Sequence, residues 1–288
     1  MKTILILTDF SENAAHAALS GVMLGKKIHA NLLLFNANVA QPVAPAYAGG
    51  ITVIDNISYM DEENKRQLEQ LADTLKPFLS QEETEWRPSL HFEEGLGGLA
   101  LQVKNLIREK DIEMVVMGAR TGSGIDHLLT GSDTYSVIDG SKRPVLIVPA
   151  EADLAHVRKV AFATNFIEAD IKAIHYLIKL GHIFNYHLEV VHINLLGEDD
   201  ITKDLRKAEF MKHVHRLRYT NIEIKELYGK DVIGRLNKYC EESGTDLLSF
   251  THYKNSLFSI IFRQSITKKA ISRQKVPLLV FPSKNEQD

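Results

Sequence analysis

Ile112-Glu113-Met114-Val115-Val116-Met117-Gly118-Ala119-Arg120-Thr121-Gly122-Ser123-Gly124 is the stretch on which the fold turns. The apolar run that opens it reads as a buried strand, and the glycine-rich part reads as a loop. Gly131-Ser132 follows, and Asp133 to Asp139 reads as the beginning of a helix. Strand, glycine-rich loop and helix N-terminus together make a phosphate cradle. Glycine lets backbone N–H groups come close, and the helix start carries partial positive charge. The spacing is neither that of the Walker A loop nor G-x-G-x-x-G. An ordinary glycine-rich turn fits the same residues, so the rest of the chain has to decide.

Working outward, the chain reads as written twice. Lys2-Thr3-Ile4-Leu5-Ile6-Leu7-Thr8-Asp9-Phe10 is matched by Arg158-Lys159-Val160-Ala161-Phe162-Ala163-Thr164-Asn165-Phe166. An Ala-rich periodic stretch follows each. Each half then closes on a Pro-led apolar run, Pro144 to Pro149 and Pro277 to Pro282. The boundary falls near Pro149 to Leu154, giving domains 1–150 and 155–284.

In the first half, strands are expected near 3–8, 31–36, 89–94, 112–117 and 144–148, with helices near 13–28, 60–81, 97–110 and 131–141. Strands near 158–163, 187–193, 221–227, 246–250 and 277–281 are expected in the second. Short apolar runs alternating with amphipathic helices imply βαβ units and parallel sheets. The fold class is therefore α/β, two repeated doubly wound parallel-sheet domains, each with its own sheet. Ligands of such sheets bind beyond the strand C-termini, where strand order switches. Thr8-Asp9, Asn36 and Met117-Gly118 all fall at expected strand C-termini, which strengthens the cradle reading.

The bulk numbers remove other classes. The chain has 288 residues and a net charge of −3, so electrostatics give no case for nucleic acid or an anionic membrane surface. Cys240 is the single cysteine, which excludes an intramolecular disulfide and a cysteine zinc cluster and suits a cytoplasmic location. No run approaches the ~18 apolar residues of a spanning helix. His213 and His215 are two apart on an expected helix and do not share a face, so no metal site is assigned. His192 reads as a core group and Cys240 as a buried, inert one. No catalytic residue is assigned. Asp61-Glu62-Glu63 reads as the solvated first turn of a helix. Ala37 to Ser58 is long for a βα connection, so it suits a lid, a dimer arm or disorder.

Taken together, these residues resemble the universal stress protein family, as a tandem pair of its adenine-nucleotide α-hydrolase-like, Rossmann-type domains. The family loop G-x2-G-x9-G-(S/T) stands here as Gly118-x2-Thr121-x9-Gly131-Ser132. Thr8-Asp9-Phe10-Ser11 resembles the family's first-strand signature, and Lys142 to Pro149 its closing strand. The resemblance implies ATP or a related adenine nucleotide in the first half, with or without Mg. Adenine would lie near Asn36 and ribose near Asp9 and Gly118, with Thr8 and Met117 also at the nucleotide. The phosphates would meet Thr121, Gly131, Ser132 and Thr134. It also implies a regulatory or protective stress role with at most weak ATPase activity, association of the two domains within the chain, and room for a homodimer. Helix N-capping is the alternative role for Asp9 and Ser132, with Ser11 as a candidate cap.

Two departures matter. Thr121 stands at the second loop glycine, where a β-branched residue would be strained at positive φ. In the second half, Gln264-Ser265 aligns with Gly131-Ser132, Thr251 with Gly118, Lys254 with Thr121 and Asn165 with Asp9, so the loop glycines are gone. The second site reads as degenerate, and Leu257 to Phe262 as core or interface. Two other classes remain: a ligand-free interaction module, and an adenine-nucleotide-dependent enzyme of the α-hydrolase type.

Overall fold

The computed structural model describes residues 1–38, 53–80, 86–119, 132–196, 202–252 and 276–282. The expected loop 120–131, most of the Ala37 to Ser58 connection, Lys254, and the segment holding Leu257 to Phe262 and Gln264-Ser265 lie outside them.

The strands are β1 (Thr3–Leu7), β2 (Asn31–Asn38), β3 (Leu90–Leu96), β4 (Ile112–Gly118), β5 (Val145–Val148), β6 (Lys159–Ala163), β7 (His187–Leu195), β8 (Ile222–Gly229), β9 (Leu247–His252) and β10 (Leu278–Pro282). The described helices are α1 (Glu12–Ile28), α2 (Val53–Leu79), α3 (Leu99–Glu109), α4 (Ser132–Gly140), α5 (Glu168–Phe184), α6 (Lys203–Arg216) and α7 (Val232–Ser243).

One feature differs from the expectation of two sheets. The strands form a single ten-stranded sheet in the order β3-β2-β1-β4-β5-β10-β9-β6-β7-β8. Every pairing is parallel except β5 with β10, where Leu278 faces Ile147 and Val280 faces Val145 in antiparallel register. The Pro-led closing strand of each half is an edge strand within that half. An edge leaves backbone N–H and C=O groups unpaired, and here each closing strand satisfies the other.

Alternation along the strands distributes the core over both faces. Ile4 and Ile6 join one apolar cluster, which runs on through Val160 and Phe162 and is roofed by α1, α2, α5 and α6. Leu5 and Leu7 join the other, which continues through Ala161 and Leu248 under α3, α4 and α7. Each fully buried aliphatic side chain contributes roughly 1.5–3 kcal/mol of transfer free energy. Coverage on both faces is why these strands read as uninterrupted apolar runs. Cys240 is buried in the second cluster.

α1 opens at Ser11, whose side chain accepts from the Ala14 N–H at 3.2 Å, so the N-cap falls where expected. It ends at His29, at φ 55°, whose N–H donates to the Gly25 carbonyl. α5 ends the same way, with Asn185 at φ 55° donating to Gly181. α2 begins earlier than expected, at Val53, so Asp61-Glu62-Glu63 lies inside the helix rather than in its first turn. Glu63 there pairs with Arg66 one turn on, at 2.7 Å. The acidic triplet looked like a helix start because negative charge favours that end, but i,i+3 pairing gives it an equally good place mid-helix.

Candidate functional site

Strand order reverses at β1, whose neighbours are β2 on one side and β4 on the other. A cleft of about 530 Å³ opens at this switch point, beyond the strand C-termini. Its lining includes Thr8 and Asp9 after β1, Asn36 of β2, Met117 and Gly118 of β4, and Asp133 and Thr134 at the start of α4. The structure therefore brings Thr8, Asp9, Asn36, Met117, Gly118 and Thr134 around one space. Ser132 begins α4, while its side chain and Thr121 and Gly131 lie outside the described residues.

Local hydrogen bonds explain how β1 turns into α1. The Thr8 hydroxyl accepts from the Phe10 N–H at 3.0 Å, and Phe10 sits in the left-handed region at φ 64°. A bulky residue held there is a genuine outlier. The turn leaves Asp9 exposed at the cleft, its Oδ1 accepting from the Ser11 N–H at 3.1 Å and the Ser11 hydroxyl at 2.5 Å. Asn36 Nδ2 donates to the Thr8 carbonyl at 2.8 Å. Asn36 is 8% exposed, and its Oδ1 has no partner among the described residues. A buried acceptor left unsatisfied costs about 1–3 kcal/mol, so a ligand donor here would recover stability.

Gly118 carries the closest contact in the site. A Cβ on it would lie 2.8 Å from the carbonyl carbon and oxygen of Asn13 and 2.9 Å from the Ala14 nitrogen. Asn13 reinforces the approach, its Nδ2 donating to the Ala119 carbonyl at 2.9 Å. The sequence carried no signal for Asn13, which reads as an ordinary first-turn residue.

The second half repeats this frame with different side chains. Leu7 pairs with Met117 and Ala163 with Phe250, which makes Thr251 the counterpart of Gly118. Thr164 Oγ1 accepts from the Phe166 N–H at 2.8 Å, and Phe166 is again at positive φ, 58°. His192 takes the place of Asn36, its Nδ1 lying 2.8 Å from the Thr164 carbonyl it donates to. The expectation of a satisfied core histidine is what this bond describes, and burial lowers its pKa. The departure is Asp170, where the first half has Ala14. Asp170 Oδ2 accepts from Thr164 Oγ1 at 2.7 Å, the Asn165 N–H at 3.1 Å and the Ile167 N–H at 3.3 Å. Burial raises the Asp170 pKa, against the pull of these donors. Sequence comparison of the loops alone did not single out Asp170, because it lies in a helix rather than in the cradle.

Another titratable cluster lies toward the strand N-termini of the second half. His187, Glu189 and Glu223 each place a ligand atom within 4.8 Å of the others. The cation position between the carboxylates is held by Lys225, whose Nζ lies 2.6 Å from Glu189 and 3.4 Å from Glu223. Burial would raise the Glu189 carboxyl, but hydrogen bonds from Lys225 and Tyr239 outweigh it and hold it low. With Lys159 Nζ also 3.7 Å from Glu189, two lysines balance the two carboxylates.

A doubly wound α/β fold with a cleft at its strand-order switch is a defined structural class, and the cleft lies where ligands of such sheets bind. Comparison narrows the class. The model of the universal stress protein family matches residues 1–149, and the chain belongs to that family. A universal stress protein of Methanocaldococcus jannaschii is 25% identical over 148 residues, covering 51% of this chain and 81% of that protein. The crystal structure of a universal stress protein from Archaeoglobus fulgidus superposes over 97% of this chain and 98% of its own, with a TM-score of 0.69 at 16% identity. A putative universal stress protein from Pseudomonas aeruginosa covers 97% and 92%, with a TM-score of 0.57 at 9% identity. These likenesses extend the fold over both halves. Among the described residues, no helix is long and apolar enough to cross a membrane.

Proposed function

We propose that the first half binds one adenine nucleotide, ATP or a close relative, and that the protein acts as a regulatory or protective factor in a stress response. Membership of the universal stress protein family supports the stress role. The observation that carries the nucleotide reading is the cleft at the strand-order switch, with the Asn36 acceptor, which has no partner among the described residues, buried in its wall. An adenine amino group is the donor that acceptor lacks. Ribose hydroxyls would donate to Asp9 and pack against Met117 and Gly118. Phosphates would lie toward Thr134 and the N-terminus of α4, with Thr121, Gly131 and Ser132 completing their contacts.

Asp9 and Asp133 both line the cleft, and no lysine or arginine does among the described residues. A polyphosphate would meet two carboxylates, so we read ATP as entering with Mg, a hard cation suited to carboxylate and phosphate oxygens. We further read the chain as two domains, 1–150 and 155–284, the second with Thr251 filling the place of Gly118 and its first loop tied by Asp170. Hydrolysis would be slow at most, because γ-phosphate transfer needs a positioned water and dedicated charge stabilisation.

The test is direct. Protein purified from cells should release adenine-absorbing material on heating, and added MgATP should raise its melting temperature. Absence of both would leave the interaction-module reading in its place.

A further inference from the structure

We propose that His252, a residue of the second half, is a positioning residue for the first-half cleft, bracing α4 from behind. The proposal rests on the nucleotide reading above. α4 faces two ways. Its first turn brings Asp133 and Thr134 to the cleft wall. Its last turn carries Asp139, whose Oδ1 lies 3.7 Å from His252 Nε2. Between them, the Tyr135 ring meets the His252 imidazole edge-on, with centroids 6.1 Å apart and planes at 81°.

His252 is well placed to act as a fixed post. It ends β9, opposite Pro282 of β10, and is 4% exposed. Val137 and Ile138 of α4 are buried in the same apolar cluster as Val103 and Leu106 of α3 and as Leu278 and Val280 of β10. α4 is thus clamped between its own half and the other one. A helix of this length spans roughly 12 Å at 1.5 Å per residue. Such a short, packed rod carries a displacement of Asp139 to Thr134 instead of absorbing it. His252 forms the buried side of this contact and Asp139, at the other, is partly open to solvent.

This gives the second half a role. Its own first loop is tied up by Asp170, while its β9 terminus holds the helix that shapes its sister's cleft. The residue aligned with His252 in the first half is Ala119, which has no side chain able to do the same.

The test uses the full chain with MgATP as the probe. The variants are His252→Ala, His252→Gln, Asp139→Asn and the His252→Ala/Asp139→Asn double variant. Titration calorimetry gives affinity, and hydrogen exchange of the α4 amides without nucleotide gives helix protection. His252→Ala and Asp139→Asn should each weaken MgATP binding by about fivefold, the low end of typical coupling between sites. The double variant should be no weaker than either single one, because both remove the same contact. His252→Gln keeps a donor toward Asp139 and should recover most of the affinity. α4 amides should exchange faster in His252→Ala. Asp139 is 40% exposed, so Asp139→Asn remains informative even where His252→Ala folds poorly. Unchanged affinity and unchanged α4 exchange in Asp139→Asn and His252→Ala would overturn the brace. If the wild-type chain binds no MgATP but α4 still loosens in the variants, the nucleotide reading fails while the brace stands.

Discussion

Gly118 and Asn13 are packed backbone to backbone, with 2.8 Å between the Asn13 carbonyl and the place a Gly118 Cβ would occupy. Real Cβ atoms do not tolerate such a distance to main chain. β4 can meet the first turn of α1 only without a side chain there, and that meeting forms the floor of the cleft. Gly118→Thr should therefore push α1 and β4 apart. Overpacking of this kind costs about 1–3 kcal/mol, and MgATP affinity should fall by more than about tenfold, equivalent to 1.4 kcal/mol. The fold should survive, because the second half carries Thr251 at the same place. Denaturant unfolding alongside a nucleotide titration separates the two effects. Wild-type affinity in Gly118→Thr would remove Gly118 from the site.

Asn36 has two separable jobs. Its Nδ2 supports the Thr8 carbonyl, as His192 supports Thr164 in the duplicate. Its Oδ1 is the acceptor offered to a base amino group. Asn36→His should keep the first and lose the second, leaving stability within about 1 kcal/mol of wild type, the typical net value of one hydrogen bond. The preference for ATP over ITP, whose base carries a carbonyl in place of the amino group, should collapse. Competition binding with the two nucleotides checks this, and an intact preference would show that Asn36 does not read the base.

Asp170 should matter to stability and not to ligand binding. Asp170→Ala leaves three donors unsatisfied, those of Thr164, Asn165 and Ile167. At about 1–3 kcal/mol for the buried Thr164 hydroxyl, and less for the two half-buried amides, unfolding should shift to lower denaturant. MgATP stoichiometry should not change, since Thr251 still fills the position of Gly118. Appearance of a second nucleotide site in Asp170→Ala would mean that Asp170 alone closes the sister cleft.

Glu226 sets an acid limit on the second half. Lys207, Asn194 and Lys203 bond its carboxylate, Lys207 most strongly, and hold its pKa down to about 2 against a usual value of 4.5. A depressed folded-state pKa means the unfolded chain takes up the proton first. The stabilisation is present above pH 4.5 and is lost as pH falls toward about 2. Glu226→Gln should flatten that part of the stability profile, as should high salt, which screens partly exposed pairs. Parallel acid-unfolding curves for the variant and wild type would contradict this.

Much of the fold was legible in the chain because parallel strands buried on both faces announce themselves. Ile4 to Leu7 and Val145 to Val148 are uninterrupted apolar runs, and the turn chemistry around Thr8 and Ser11 marks the first helix start. The joining of β5 to β10 was not legible. Nothing in Pro144 to Pro149 or Pro277 to Pro282 says which edge each strand will meet, since backbone pairing leaves no residue signature. The early start of α2 at Val53 was hidden by an acidic triplet that suits a helix start and a helix middle alike. At the cleft, Thr8, Asp9, Asn36, Met117 and Gly118 could be nominated because strand ends converge on one edge. Asn13, Asp170 and His252 could not, because each acts on a segment remote in sequence or through a neighbour that only the folded chain supplies.

The central claim is one adenine-nucleotide site per chain, in the first half, with the second half closed. Titration calorimetry of the full chain with MgATP measures it directly. The account predicts a stoichiometry of one, with affinity lowered more than about tenfold by Gly118→Thr and stoichiometry left unchanged by Asp170→Ala. A stoichiometry of zero, or of two, in the wild-type chain would contradict it.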